Sequence, residues 1–260
     1  MQNKVILISI DGMRPDGLVA CGNPYVKELM QKGSYTLTAQ TVFPSVTLPC
    51  HMSMFHSVTP ERHGTTTNAY VPQVRPIDGL LEQIARAGGK SGVFFGWEPI
   101  RDLGRPGMLQ TAEYVNAYAF DRTDGILADR ALDYIEKADP DFVFLYMVET
   151  DEKGGHDVGW MSDTYLDCIS YAIDQVKKVV DACGDRYTVI VTADHGGHDR
   201  GHGLDIPEDM TIPMAFLGKA FEAGKELKNV SILDLAPTIA TIMGVPIPRE
   251  WEGKVLVKGE

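Results

Sequence analysis

The sequence has few cysteines and no long apolar segment, and both absences exclude whole classes of protein. Cys21, Cys50, Cys168 and Cys183 are widely separated and form no CxxC pair, so we expect free thiols rather than a disulfide framework or a thiolate zinc site. No apolar run approaches the roughly 18 residues that a membrane-spanning helix needs. The first residues show no apolar core followed by a small-residue cleavage site. The sequence therefore predicts a cytoplasmic protein with no membrane partner.

Positive charge is also scarce, because 24 lysines and arginines stand against 36 aspartates and glutamates, for a formal net charge of -12. A protein that binds a nucleic-acid backbone needs a basic face, so polymeric DNA or RNA is not expected as a partner. A small anionic substrate remains compatible, since divalent cations bound by buried carboxylates make an acidic chain locally electropositive. The sequence leaves open whether the chain forms a homo-oligomer.

The 260 residues contain an alternation of strand-like and helix-like segments. Short apolar runs bounded by Gly, Pro or Asp predict strands at residues 5–10, 92–95, 142–148, 188–192 and 212–217. Apolar residues at helical spacing predict helices at residues 25–32, 77–87, 125–137, 162–182 and 233–243. Nearly continuous apolar strands indicate a sheet covered on both faces. We therefore expect an α/β fold with a doubly wound, mostly parallel sheet, in a single domain over residues 1–260.

Residues 97–122 are richer in Gly, Pro and aromatic residues and show no clear periodicity. They are expected to form a small insertion or lid over one edge of the sheet, with an ordinary irregular connection as the alternative.

Acidic residues follow three of the predicted strands at the point where each strand ends. These residues are Asp11, Asp151 and Asp194. Ligands of such sheets bind at the carboxyl ends of the strands, so we expect the three side chains to lie at one edge. Each of them alone is compatible with a turn-forming aspartate.

Histidines accompany two of these aspartates. Residues 194–202 hold three histidines and two aspartates among glycines, and His156 follows Asp151 across two glycines. Imidazole and carboxylate ligands favour zinc, manganese or iron over magnesium. The pattern therefore indicates a metal-binding loop, in which His198 either orients a ligand or faces solvent.

Thr47 stands in a Pro-x-x-Thr-x-Pro frame and is predicted to open a helix. The positive end of a helix favours a nucleophile that meets a phosphoryl group, whereas a capping role is the plainer interpretation. We expect the histidines that follow, His51, His56 and His63, to be packed scaffold groups rather than ligands.

The order of these motifs resembles the alkaline phosphatase superfamily and, within it, the type I phosphodiesterase/nucleotide pyrophosphatase branch. The matching motifs span nearly the whole chain: Asp11, Thr47 in its proline frame, Pro60-x-x-His63-Gly64, Asp151 with His156, Asp194-His195-Gly196, His202-Gly203 and Asp234-Leu235-Ala236-Pro237-Thr238. The resemblance implies an alkaline phosphatase-like fold and hydrolysis of a small phosphorylated substrate. It also implies two divalent metal ions, with zinc expected and manganese as the alternative.

The resemblance further implies a role for each matched residue. Thr47 would attack phosphorus and carry a covalent phosphothreonine intermediate. Asn68, placed 21 residues after Thr47, would donate a hydrogen bond to a nonbridging phosphoryl oxygen. One metal ion would be held by Asp11, Thr47, Asp194 and His195, and the other by Asp151, His156 and His202.

The pattern departs from that branch near the nucleophile and in one spacing. Leu48 stands where nucleotide pyrophosphatases usually carry an aromatic residue that stacks a base, and Cys50 replaces an Asn. The interval from Asp151 to His156 is one residue longer than the usual Asp-x-x-x-His, which leaves Asp157 as a weaker competitor.

Two other activities compete with a phosphodiesterase, and two further alternatives are disfavoured. A phosphonoacetate hydrolase also uses a threonine nucleophile and two metals. A phosphomonoesterase would need an added cation, for which Arg14, Arg101, Arg105 and Lys153 are candidates, although solvated surface charge is the plainer reading of each. A catalytically silent metal-binding protein is disfavoured because the expected ligands and nucleophile are all present. Sulfate-ester hydrolysis is disfavoured because Thr47 occupies the place of the formylglycine precursor.

Overall fold

The computed structural model describes residues 3–258, and within that range seven strands form one sheet in the order β2-β7-β6-β1-β5-β3-β4. The strands pair in parallel except β7, which is antiparallel to both of its neighbours, β6 and β2. The sheet is therefore mostly parallel, as predicted. The strands are β1 (Lys4–Ile10), β2 (Ser34–Gln40), β3 (Ser91–Phe95), β4 (Thr111–Tyr114), β5 (Phe142–Met147), β6 (Tyr187–Thr192) and β7 (Thr211–Leu217).

The central strand β1 determines where the candidate site lies. Its apolar residues are almost wholly buried, because helices cover both faces of the sheet. Ser9 is in register with Tyr146 of β5 and with Thr192 of β6, so the three strands end almost level. The residues that follow them, Asp11 among these, consequently meet at one edge.

Helices lie on both faces of the sheet, which confirms the predicted doubly wound fold. Helices α1, α2, α6 and α7 pack on one face, whereas α3, α5 and α9 pack on the other. No helix within residues 3–258 is long and apolar enough to cross a membrane. The α-helices are α1 (Pro15–Ala20), α2 (Tyr25–Lys32), α3 (Thr47–His56), α4 (Pro60–His63), α5 (Leu80–Arg86), α6 (Thr123–Ala138), α7 (Asp163–Cys183), α8 (Pro207–Met210) and α9 (Leu235–Met243). Two 3₁₀ helices (Glu98–Leu103 and Ile232–Asp234) and a π-helical turn (Thr150–His156) complete the set.

Two strands of the sheet are missing from the sequence prediction, and one predicted helix begins three residues late. Strand β2 was not predicted, because the polar residues Ser34 and Thr36 occupy buried positions and the strand shows no regular alternation of apolar residues. Strand β4 is a four-residue edge strand whose side chains are at least partly exposed. The helix predicted from residue 77 begins only at Leu80, because the Gly79 N–H donates to the Glu82 carboxylate and thereby caps it.

Residues 97–122 supply part of the sheet itself, since they contain one 3₁₀ helix and β4. After β4, the Tyr118 hydroxyl donates a hydrogen bond to Glu152, which neighbours Asp151. The segment therefore contacts the turn that carries a candidate ligand, and its closure over the site stays a prediction.

Candidate active site

Asp11, Asp151 and Asp194 converge at the carboxyl edge of the sheet, as predicted from their positions after β1, β5 and β6. Their exposed fractions are only 1%, 4% and 0%. One oxygen of each carboxylate has no hydrogen-bond partner in residues 3–258: Oδ1 of Asp11, Oδ1 of Asp151 and Oδ2 of Asp194. Unsatisfied buried acceptors of this kind are costly unless a cation compensates them.

The charges of these carboxylates act on one another. Burial, followed by the charges of Asp194 and Asp151, raises the pKa of Asp11 well above its usual range. Burial and the charge of Asp194 likewise raise the pKa of Asp151. Burial would also raise the pKa of Asp194, but His195 and His51 outweigh it and lower that pKa. No Lys or Arg of the described chain lies within ion-pair distance of the three carboxylates. A divalent cation would therefore balance their negative charge.

Three histidines beside the carboxylates share one orientation, in which Nδ1 meets a backbone carbonyl. A carbonyl oxygen only accepts, so Nδ1 carries the proton and Nε2 is left bare to bind a metal. Such outer contacts fix the tautomer and the direction of a ligating imidazole. The partners are Gly196 O for His195 (2.8 Å), Ser45 O for His202 (2.9 Å) and Arg200 O for His156 (3.1 Å).

The bare Nε2 atoms face carboxylate oxygens. His195 Nε2 lies 3.3 Å from Asp11 Oδ1 and 3.4 Å from Asp194 Oδ2. His156 Nε2 lies 3.4 Å from Asp151 Oδ2, and His202 Nε2 lies 3.9 Å from Asp151 Oδ1. Burial, followed by the neighbouring His195, lowers the pKa of His202 to about 3, which keeps it neutral. Lone pairs that face each other in this way repel unless a cation is shared between them.

The ligand atoms form two groups, each within 4.8 Å, and both fit a divalent metal. The first contains Asp11, Asp194 and His195, and the second contains Asp151, His195 and His202. His156 reaches the second group through Asp151. The first group contains the three His and Asp residues predicted for one metal ion, whereas the second contains His195 in the place predicted for His156. The assignment of ligands to each ion stays a prediction.

A π-helical turn accommodates the long interval between Asp151 and His156. In this turn Asp157 N donates to Glu152 O and Gly159 N to Gly154 O, five residues back in each case. A π-helical turn holds one residue more than the corresponding α-helical turn, so the two ligands still reach each other. Asp157 is exposed and belongs to neither ligand group.

Thr47 is the first residue of α3 and is 5% exposed. Its Oγ1 lies 3.2 Å from Nε2 of His195, a member of both groups. The Leu48 N–H donates to Asn68 Oδ1 at 3.0 Å, which orients the amide of Asn68. Asn68 is exposed, and its Nδ2 has no hydrogen-bond partner within the described range.

The other histidines of this region are buried scaffold groups, as expected. His51 Nδ1 donates to Thr47 O at 2.8 Å, and the Ser9 hydroxyl lies 3.1 Å from His51 Nε2. His56 Nδ1 donates to Met52 O in the same way. His63 Nε2 lies 3.0 Å from the Ser53 hydroxyl. These contacts stabilise α3 behind Thr47.

Sequence reasoning missed two aromatic residues that support the ligands. The buried Tyr146 donates its hydroxyl to Asp11 Oδ2. Trp160 Nε1 donates to Gly12 O at 2.9 Å, and its ring lies edge-on to His156. A hydroxyl-bearing tyrosine in the otherwise apolar β5 was the one signal available for the first of these residues.

The model of the type I phosphodiesterase / nucleotide pyrophosphatase family matches residues 5–205. This chain belongs to that family. The matched range contains every candidate ligand, together with Thr47 and Asn68. The family is part of the alkaline phosphatase superfamily, so the predicted membership is confirmed.

Two curated relatives match at moderate identity. The catalytic subunit of human GPI ethanolamine phosphate transferase 2 is 27% identical over 279 residues, covering 98% of this chain and 28% of that protein. The 2,3-bisphosphoglycerate-independent phosphoglycerate mutase of Clostridium tetani is 29% identical over 140 residues, covering 51% of this chain and 26% of that protein. The chain therefore spans about a quarter of the length of these relatives.

Solved structures share the fold. Human ectonucleotide pyrophosphatase / phosphodiesterase 5 superposes with a TM-score of 0.81 at 15% identity, covering 97% of both chains. A phosphonate monoester hydrolase from Silicibacter pomeroyi superposes with a TM-score of 0.78 at 15% identity, covering 98% of this chain and 76% of the other.

In this phosphodiesterase-family chain the residue after the candidate nucleophile is Leu48, where an aromatic residue is expected in a nucleotide pyrophosphatase. The side chain of Leu48 is wholly buried. It therefore offers no exposed face on which a nucleotide base could stack.

Proposed function

We propose that this chain is a metal-dependent phosphoric ester hydrolase of the phosphodiesterase/nucleotide pyrophosphatase type, which acts on a small phosphorylated substrate. The observation that carries the proposal is the convergence of Asp11, Asp151 and Asp194 with bare imidazole nitrogens beside the Thr47 hydroxyl. Membership of the type I phosphodiesterase family supports the same chemistry.

Two divalent metal ions complete the proposed site. Mixed nitrogen and oxygen ligands favour zinc, with manganese as the alternative. When bound, such ions lower the pKa of a coordinated hydroxyl and offset negative charge on phosphoryl oxygens. The residues that would hold them are Asp11, Thr47, Asp194 and His195 for one ion, and Asp151, His156 and His202 for the other.

Thr47 supplies the nucleophile in this proposal. Its Oγ1 forms a bond to phosphorus while the bond to the leaving oxygen breaks. The hydroxyl proton is released to solvent, and the leaving oxygen takes up a proton from solvent to become the free alcohol. With a diester substrate, the phosphothreonine keeps the second alcohol. Water then cleaves the bond between phosphorus and Oγ1, and a proton returns to Thr47. The free Nδ2 of Asn68 donates to a nonbridging oxygen whose negative charge grows in the transition state.

The cationic side chains favour a diester over a monoester. A monoester carries one more negative charge and needs a free cationic partner for it. The four candidates are already ion-paired: Arg14 with Asp16, Arg101 with Glu98, Arg105 with Asp78 and Lys153 with Glu149.

One panel of substrates tests the proposal. The zinc- or manganese-loaded protein is assayed with bis-p-nitrophenyl phosphate, p-nitrophenyl phosphate, phosphonoacetate and p-nitrophenyl sulfate, and kcat/KM is compared. We expect the diester to give the highest value. A higher value with the monoester, the phosphonate or the sulfate would replace the diester assignment by that activity. An added alcohol that becomes phosphorylated would instead indicate a transferase, the activity named for the human relative.

The same preparation tests the non-enzymatic alternative. No turnover of any ester, together with less than one metal ion bound per chain, would identify a silent relative rather than a hydrolase.

A further inference from the structure

Asp209 lies on α8, outside the residues that the proposed chemistry uses, yet its carboxylate is wholly buried and both of its oxygens are bonded. Oδ1 accepts from His198 Nδ1 at 2.8 Å. Oδ2 accepts from the backbone N–H of Leu204 at 2.8 Å. One carboxylate therefore joins two points of residues 196–204, the loop that follows the candidate ligand His195 and contains the candidate ligand His202.

The backbone of α8 makes two further bonds to the same loop. Gly196 N donates to Asp209 O at 2.8 Å, and Gly197 N donates to Glu208 O at 2.9 Å. Thus four hydrogen bonds from two neighbouring residues hold the loop, and two of them depend on the Asp209 side chain.

The held loop also supports a ligand on another segment. His198 and Gly201 exchange two backbone hydrogen bonds of 2.9 Å, which close a tight turn around Arg200. Arg200 O accepts from His156 Nδ1, and Arg200 Nε donates to His156 O at 2.7 Å. Movement of the turn would therefore displace His156 as well as His202.

We propose that Asp209, acting through His198 and the Leu204 amide, is a positioning residue that presets the loop for metal binding. The inference rests on the proposed two-metal site. Loss of an outer-shell partner weakens metal binding by about 10- to 100-fold in well-studied sites, because the ligands must then be ordered when the metal binds.

The test measures the affinity for metal directly. Zinc or manganese is titrated into the wild-type chain and into Asp209→Asn in the presence of a competing chelator. An Asn side chain has one accepting oxygen, so its amide nitrogen must face either the Leu204 N–H, where the bond is lost, or His198 Nδ1, which must then move its proton to Nε2. In either case the negative charge that holds the loop is removed. We expect binding to weaken by about 10- to 100-fold.

Asp234→Asn is the matched control. Asp234 is also buried, at 3% exposure, and also accepts two hydrogen bonds of 2.8 Å, from Ser231 N and Lys254 N. It contacts no ligand-bearing loop in these bonds. We expect this variant to lower the melting temperature without changing the affinity for metal.

His198→Ala gives a second, milder variant, because this side chain is 30% exposed and its loss leaves the core intact. Removal of one hydrogen bond should weaken metal binding by up to about tenfold. Added to Asp209→Asn, it should have little further effect, since both changes break the same contact.

The outcomes separate this inference from the proposed function. A wild-type chain that binds no metal refutes both. A wild-type chain that binds two ions, with Asp209→Asn within twofold of it or with Asp234→Asn equally weakened, refutes the positioning role alone. If Asp209→Asn does not fold, unchanged binding by His198→Ala refutes the role and weakened binding supports it.

Discussion

The indole of Trp160 lies flat against Gly197, so closely that a Cβ on residue 197 would stand 2.1 Å from its Cε2 atom. The same ring faces Gly155, where a Cβ would stand 2.6 Å from the indole. Both loops that carry candidate histidine ligands therefore need a glycine at their contact with this one side chain.

Gly197→Ala should destabilise the protein, because neither the indole nor the loop can move without disturbing ligands. Overpacking of this kind typically lowers the free energy of unfolding by about 1–3 kcal/mol, which urea denaturation of the variant would measure. Gly201→Ala is the control in the same loop, since a Cβ there meets no atom within 4 Å among the described residues. Equal stabilities of the two variants would contradict the role of Trp160.

Thr47→Ala should abolish turnover of the diester while leaving the protein folded, because within residues 3–258 the hydroxyl contacts one polar side chain, that of His195. We expect kcat to fall by at least about 10³-fold, the order seen when a nucleophile is removed. Thr47→Ser keeps the hydroxyl and should retain measurable activity. Wild-type rates in Thr47→Ala would exclude the covalent route.

Asn68→Ala should lower kcat by about 10²- to 10³-fold if Nδ2 donates to the phosphoryl oxygen. Asn68→Asp keeps an oxygen that accepts from the Leu48 N–H but has no donor, so it separates the two functions of this side chain. We expect Asn68→Asp to be at least as slow as Asn68→Ala. If kcat falls by less than about threefold in both variants, Asn68 is not a donor to the phosphoryl oxygen, because removal of such a donor has a much larger effect.

Asp124 should make stability depend on pH. Burial, followed by the charge of Glu149, raises the pKa of this carboxyl to about 8. The folded state therefore binds the proton more tightly, and the stability that this supplies is complete below about pH 4 and is lost as pH rises towards 8. The slope for one proton is at most about 1.4 kcal/mol per pH unit.

Asp124→Asn should flatten this slope. The Asn oxygen can still accept from the Val148 N–H, which lies 2.9 Å from Asp124 Oδ1, and the backbone N–H of residue 124 keeps its bond to the Glu149 carboxylate. Unfolding in urea at a series of pH values from 5 to 8 measures the difference. Parallel profiles for wild type and variant would show that Asp124 does not titrate as expected.

The meeting of Asp11, Asp151 and Asp194 was predictable because apolar strands that end in acid have one common edge in a parallel sheet. The roles proposed for Thr47 and Asn68 come from the resemblance and not from the sequence pattern alone, and they stay predictions. The turn at residues 150–156 was not predictable, since it depends on Gly154 packing against Tyr165 and on Gly155 packing against Trp160. The burial of Asp209 was not predictable, because an aspartate close to Asp205 and Glu208 is expected to lie at the surface.

The pairing of β1 joins the beginning of the chain to segments made much later. Its partners are residues 142–147 and 187–192, so during synthesis β1 has no neighbour in the sheet until more than half of these 260 residues have been made. Contacts between such distant segments slow folding, because long loops must close before any pairing is gained. The candidate metal centre draws on residues that follow β1, β5 and β6, so a chain that ends before β6 lacks Asp194 and His195 and cannot assemble it.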